Sequence, residues 1–557
     1  MSAKHLVLGL DGADPDLIRA MGRGALPHLF ELEDRGVFAR LKSVMPAATL
    51  PNWSTFLTAT DPGTHGVFDF TTRTGYRVAF TGGSNRAVPT LFSRLDAMGK
   101  TCACIGFPAT WPPEQWTRGA FISGWDSPVA FEADDSFVWP RALHREIQER
   151  FGSIRFDDVD EFEADTNGWH ERLPHALVAR IEHKTQLASW LLDKCEWDAF
   201  AFYFGESDTA AHYLWSLHDE GSPRHPTAVG AEDGDGLRSV YKALDHAVGS
   251  LIARAGGSNV EVTVVSDHGS GGSSDKVLHL NRALADAGLL TFHSSTWASR
   301  VTRLAKETAL TRLSPRMRQH VFRLAGNVMP GWLESRARFS AIDMDRTMAF
   351  SEELNYFPSV HLNLSGREPK GQVAAADRER VLREVTEALL KLRDPWTGAS
   401  AVRAVHRREE LYQGPLVSRA PDLVLEMNLD RGYSYNLMPS SAQSPPWRRI
   451  PASEWLGRKG RSLPGSHRSH GVFFAAGPSV RHGVSIEPTM ADASATLLAR
   501  MKLERAPEMS GRVMSEMLND TSTRDPLAKA PPGLNKDARN ADIARVEARL
   551  RALGYVD

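Results

Sequence analysis

Short apolar runs recur along the chain, and most close on an acidic or glycine-rich turn. They are HLVLGL (5–10), TCACIGF (101–107), DAFAFYFG (198–205), VEVTVVSD (260–267) and GVFFAAG (471–477). Runs this short, apolar at consecutive positions and hence on both faces, predict strands buried inside a parallel sheet. Between them lie segments of helical character. These are PDLIRAMGRGALPHLFELEDRG (15–36), PNWSTFLTAT (51–60), VPTLFSRLDAMGK (88–100), SVYKALDHAVGSLIARA (239–255) and MADASATLLARMK (490–502). Strands alternating with helices predict an α/β fold, a mostly parallel central sheet flanked by helices. Sites in such sheets form beyond the carboxyl ends of the strands.

Three stretches break the rhythm. Residues 108–172, rich in Trp, Pro and acidic residues, predict an excursion over the sheet. Residues 293–340 carry a run of basic residues from Arg300 to Arg323 among Leu, Val and Phe, and predict a helical lid insertion. From Asn519 a Pro/Lys/Asp-rich linker leads to an amphipathic helix, ADIARVEARLRALGY. The expected plan is a catalytic core over 1–292 and 341–518, a lid over 293–340, and a linker with a C-terminal helix over 519–557.

Polar residues stand where these strands end. Asp11 closes the first, in GLDGAD. Asp208 and His212 in ESDTAAH are four apart, so a helix would put both on one face. Asp267 and His268 are adjacent, which on a regular strand sends them to opposite faces. Both can serve one site if the chain turns, and the following GSGGSS is expected to supply that turn. His467 lies in a polar turn ahead of GVFFAAG. Taken singly, each has an ordinary alternative as a turn or helix-capping Asp or a surface His, and Asp14 and His470 are the nearest rivals. An Asp/His donor set without cysteine suits zinc or manganese.

Thr49 sits in PAATLPNW, with no side chain beside it that could act as a general base. A nucleophilic role would therefore need a metal to acidify its hydroxyl. Asn52 could donate its amide to a phosphoryl oxygen or cap the helix that follows. Arg468, next to His467, could reach a substrate anion.

Bulk properties narrow the field further. With 557 residues, 42% hydrophobic and 24% charged, the chain has the make-up of a soluble protein of more than one simple domain. A formal charge of −2 gives no drive toward nucleic acid or an anionic membrane. Of three cysteines, Cys102 and Cys104 share a strand face and are expected as buried thiols. The N-terminal apolar run is too short for a signal-peptide core or a membrane span, no later segment supplies one, and a cytoplasmic protein is expected.

The ordered set GLDGAD, TLPNW, DPGTHGVFDF, ESDTAAH, SDHGSGG and GSHR…GVFFAAGP resembles the alkaline phosphatase superfamily. Within it the chain is most similar to type I phosphodiesterase/nucleotide pyrophosphatases and a bacterial branch of predicted phosphohydrolases and phosphomutases. The resemblance implies two divalent ions, zinc or else manganese. Asp208, His212 and His467 would hold one; Asp11, Asp267 and His268 would hold the other, with Thr49 as nucleophile. It implies a covalent phosphothreonine, hydrolysed by water held at the first ion, and a phosphoryl contact from Asn52. Trp53 stands where the pyrophosphatases usually have histidine, which bears on nucleotide selectivity. No C/S-x-P-x-R motif offers a sulfatase nucleophile, and the serine with adjacent arginine of the monoesterases is absent. The expected activity is hydrolysis of a small phosphorylated substrate, a diester before a monoester. Phosphoryl transfer to an alcohol, as in a phosphomutase, is the alternative. A catalytically silent phosphate binder would be expected to lack a ligand or the nucleophile, and none is missing.

Overall fold

The computed structural model describes residues 3–124, 135–152, 168–226, 236–293, 339–353, 358–457 and 462–519. The expected lid falls almost wholly outside them, as does the C-terminal helix. No helix among the described residues is long and apolar enough to cross a membrane.

The body is an α/β structure built on an eight-stranded sheet. Its order is Gly36–Lys42, His470–Ala476, Glu261–Val265, His5–Leu10, Ala199–Phe204, Cys102–Ile105, Gly119–Ile122 and Val138–Trp139. The five strands from Glu261–Val265 to Gly119–Ile122 are mutually parallel, while His470–Ala476 runs against both its neighbours. The predicted apolar runs are these strands, and His5–Leu10 and Ala199–Phe204 are buried at every position. Leu10 is in register with Phe204, and Gly9 with Val265. The three strands therefore end at one level, and residues 11, 205–208 and 266–268 emerge side by side.

Several elements differ from expectation for local reasons. The 15–36 stretch is two helices, Pro15–Met21 and Pro27–Asp34, because Gly22 at φ 71° stops the first and Pro27 starts the second. Part of the 108–172 stretch does not pass over the sheet but extends it, through Gly119–Ile122 and Val138–Trp139.

The glycine-rich segment after His268 is not a turn. It is the first half of a ten-residue strand, Gly269–Leu278. His467, expected in a turn, lies in the strand Gly465–Arg468 paired with it, opposite Ser270. Glycines are needed there for close packing: a Cβ on Gly271 would stand 2.5 Å from the Arg468 guanidinium, and one on Gly272 2.7 Å from the Tyr433 ring.

Residues 341–518 also build a second sheet, in the order Ala349–Phe350, Ser359–Leu362, Leu423–Met427 and Val402–Arg407, all antiparallel. With the helix Arg378–Leu390 it encloses its own apolar cluster, including Phe350, Leu382 and Leu423. Tyr412, beyond this sheet, donates its hydroxyl to the Met45 carbonyl at 2.9 Å and so braces the loop that leads to Thr49.

Candidate active site

The rim of the sheet brings the six predicted ligand residues into one cluster. Asp11 follows the first strand. Ser266–His268, where the chain turns, supplies Asp267 and His268. The helix Glu206–His218 presents Asp208 and His212 one turn apart, and Gly465–Arg468 carries His467. That strand lies tight against the helix, since a Cβ on Gly465 would meet the Ala211 carbonyl oxygen at 2.0 Å.

Two groups result. Asp11, Asp267 and His268 offer ligand atoms within 4.8 Å of one another, and so do Asp208, His268 and His467. His212 joins the second group: its Nε2 lies 3.1 Å from His467 Nε2 and 3.3 Å from Asp208 Oδ1. The groups meet where the His268 and His467 rings stack, centroids 3.6 Å apart. Asp208, with a side chain 21% exposed, marks the open side, whereas Asp11, Asp267 and His268 are all but sealed.

The three imidazoles are oriented alike. Nδ1 of His212, His268 and His467 meets the carbonyls of Gly465, Gly269 and Ala47 at 3.1, 3.0 and 2.8 Å. A carbonyl only accepts, so each Nδ1 carries a proton, and in a neutral ring Nε2 then presents a lone pair. Burial lowers the His268 pKa to about 4 and takes His467 well below the usual range, the latter helped by its two histidine neighbours. Both rings are thus neutral at pH 7, the form that ligates.

The carboxylates point the same way. Burial, then the nearby charge of Asp11, pushes the Asp267 carboxyl well above the usual carboxylate range. Its Oδ1 accepts from the Gly12 amide at 3.2 Å, while its buried Oδ2 accepts no hydrogen bond among the described residues and lies 3.3 Å from His268 Nε2. Acidic oxygens and neutral imidazole nitrogens gathered in a buried cluster are the donor set that a pair of divalent ions would bind. The residues fit such a pair.

Serines lace the converging loops together. Ser207 Oγ donates to the Asp11 carbonyl at 2.6 Å, Ser270 Oγ to that of Gly12 at 2.7 Å, and Ser266 Oγ to that of His268 at 2.6 Å. The rival acid, Asp14, caps the helix Pro15–Met21 by accepting from the amides of Asp16 and Leu17. The rival imidazole, His470, is half-buried at the start of its strand, beside Ser469.

Thr49 opens the helix Thr49–Thr58, its Oγ1 3.4 Å from His268 Nε2. The fold thus sets its hydroxyl beside a nitrogen common to both ligand groups, a contact absent from its sequence neighbourhood.

Two expected substrate contacts are committed elsewhere. Asn52 is fully buried: its Oδ1 accepts from the Val44 amide at 2.7 Å, and its Nδ2 donates to the carbonyls of Pro46 and Ala48 at 3.1 and 2.8 Å. In this arrangement both Nδ2 hydrogens go to backbone carbonyls of the loop before Thr49. Arg468 points away from His467 because neighbouring strand residues face opposite sides. Its guanidinium donates to Ser434 Oγ and to the carbonyls of Gly272 and Gly432, at 2.6, 3.0 and 2.9 Å.

Two residues not assigned to the site from sequence belong to it. Trp53 Nε1 and the Tyr203 hydroxyl both donate to Asp11 Oδ2, at 2.8 and 2.6 Å. The available signal was a lone hydroxyl in the apolar run AFYF and an indole four residues after Thr49.

The family model described as type I phosphodiesterase / nucleotide pyrophosphatase matches residues 5–471. The comparison with curated proteins returned no match. Among solved structures, human ectonucleotide pyrophosphatase/phosphodiesterase 5 is similar in fold at a TM-score of 0.50 and 14% identity, covering 93% of this chain and 100% of that one. The murine protein of the same name matches at 0.49 and 15% identity, covering 93% and 100%. Its inactive variant in complex with AMP matches at 0.48 and 15%, covering 92% and 97%.

Proposed function

The chain belongs to the type I phosphodiesterase/nucleotide pyrophosphatase family, and on that premise we propose that it is a two-metal-dependent phosphodiesterase with Thr49 as nucleophile. The observation that carries this reading is the 3.4 Å approach of Thr49 Oγ1 to His268 Nε2, where the two ligand groups meet. Asp11, Asp267 and His268 would hold one divalent ion, and Asp208, His212 and His467 the other, zinc or else manganese by donor type. Such a pair supplies Lewis-acid polarisation of phosphoryl oxygens and makes a neighbouring hydroxyl more acidic.

The chain's own groups account for the rest. Thr49 Oγ1 would lose its proton to solvent and bond to phosphorus as the ester's leaving oxygen departs and takes a proton from water; a second water would later cleave the phosphothreonine and restore the hydroxyl. Of the first turn of its helix, Pro51 has no amide hydrogen and the Asn52 amide donates to the Ala48 carbonyl, which leaves the Thr49 and Leu50 amides for the non-bridging oxygens of a phosphoryl group. Asp208 lies on the open side, where substrate enters. Asn52 and Arg468 hold the frame.

The test uses the zinc- or manganese-reconstituted protein with an aryl phosphodiester and the matching monoester. Turnover of the diester is expected to exceed that of the monoester. Thr49→Ala should lower it at least about a thousandfold with both ions retained by elemental analysis. Activity near wild type in that variant would remove Thr49 from the mechanism.

A further inference from the structure

Two donors from different elements converge on a single oxygen of Asp11. The Trp53 indole and the Tyr203 hydroxyl both reach Oδ2, at 2.8 and 2.6 Å, while Oδ1 lies 3.4 Å from His268 Nε2. A carboxylate oxygen has two lone-pair sites, and two N–H and O–H donors fill them. We infer that Trp53 and Tyr203 are positioning residues that hold Asp11 as a one-oxygen ligand and set the affinity of the ion at Asp11, Asp267 and His268. This rests on the metal reading above.

Packing makes the arrangement rigid. Trp53 and Tyr203 are 0% and 2% exposed, and their rings meet edge to face with centroids 5.5 Å apart. Phe107 and Phe56 close on Trp53 at 5.2 and 5.8 Å. Gly9, in register with Tyr203, leaves room for the indole: a Cβ there would stand 2.8 Å from Trp53 Cη2. Neither ring can turn to release Asp11 without displacing this cluster. An indole donates and never accepts, so Trp53 reads only an acceptor, which keeps the Asp11 oxygen in that role.

The experiment is a competitive titration of chelator-stripped protein with zinc, and a parallel titration with cobalt followed by visible absorption. Tyr203→Phe removes one donor without leaving a cavity, and Trp53→Phe removes the other. Wild type is expected to bind two ions. In each variant one stepwise affinity should fall by about 10- to 100-fold, the usual effect of losing such a supporting partner, and the other should stay. The cobalt spectrum of the weakened site should change as Oδ2 becomes available to the ion. Unchanged affinities in both variants would overturn the inference and leave the metal reading standing. So would an equal loss at both sites, the mark of general loosening. A wild-type protein that binds no ion would overturn both.

Discussion

Nε2 of His212 stands 3.1 Å from Nε2 of His467, and the opposite nitrogen of each ring meets a backbone carbonyl. When both rings are neutral the facing nitrogens present lone pairs, which repel unless a cation lies between them. An ion gripped by both rings, as proposed above, would account for the contact.

Bound metal should accordingly stabilise the fold. A ligand at 100 times its dissociation constant adds about 2.7 kcal/mol to the native state. Calorimetry of chelator-stripped protein is expected to show a rise in Tm when zinc is restored. His212→Ala should bind one ion fewer by elemental analysis and show a smaller rise. Identical midpoints with and without zinc would count against the assignment of these ligands.

Asn52→Ala tests whether that amide builds the loop or binds substrate. Its removal leaves the carbonyls of Pro46 and Ala48 and the Val44 amide without their partner. At roughly 1 kcal/mol for each net hydrogen bond, about 2–4 kcal/mol of stability should go. Thr49 would lose its placement, so kcat should fall with KM little changed. A raised KM at unaltered stability would return Asn52 to the substrate.

Gly12 holds φ 63°, and a Cβ there would sit 2.9 Å from Asp208 Oδ1 and 3.0 Å from the Asp208 Cα. Gly12→Ala is expected to cost about 1–2 kcal/mol for the left-handed backbone and to push Asp208 off its position. Metal content should drop at the Asp208 group, with activity following. A variant with full metal content and full activity would show that Asp208 is not needed where it stands.

Two histidines away from the ligand cluster should make the protein acid-sensitive. Burial lowers His5 and His65 from 6.5 to about 3, with Arg500 and Arg86 respectively adding to the effect. Above pH 6.5 both are neutral in the folded and unfolded chain. As the pH falls from 6.5 toward 3 the unfolded chain takes up protons that the native state refuses, so stability is lost across that window. Each group contributes at most about 1.4 kcal/mol per pH unit. His65 also bridges Thr55 Oγ1 and the Val67 amide, so His65→Gln should be less stable at pH 7 yet lose less on acidification. Denaturant titration of metal-free protein at pH 7, 5 and 4 measures it; parallel losses in wild type and variant would refute the assignment.

The strands, and the acids and histidines that gather at their ends, were legible because they depend on local pattern. HLVLGL, AFAFYF and EVTVV are apolar on both faces, and that suffices to bury them in a sheet. The acids and histidines at their ends follow from where strands stop. The role of Gly269–Leu278 was not legible, since glycines that permit a turn also permit a strand to be packed tightly. Arg468 illustrates a second reason. Next to His467 in sequence, it faces the other side in space, because strand neighbours alternate.

What tertiary structure alone decided was direction and partnership. Asn52 turned into its own loop, Trp53 and Tyr203 turned onto Asp11, and His268 came within reach of Thr49, a residue 219 positions away. Sequence by itself determined which groups could do chemistry and on which elements they ride. Which of them meet depends on strand register, where a slip of one residue reverses every side chain, and on contacts between segments that share no local pattern.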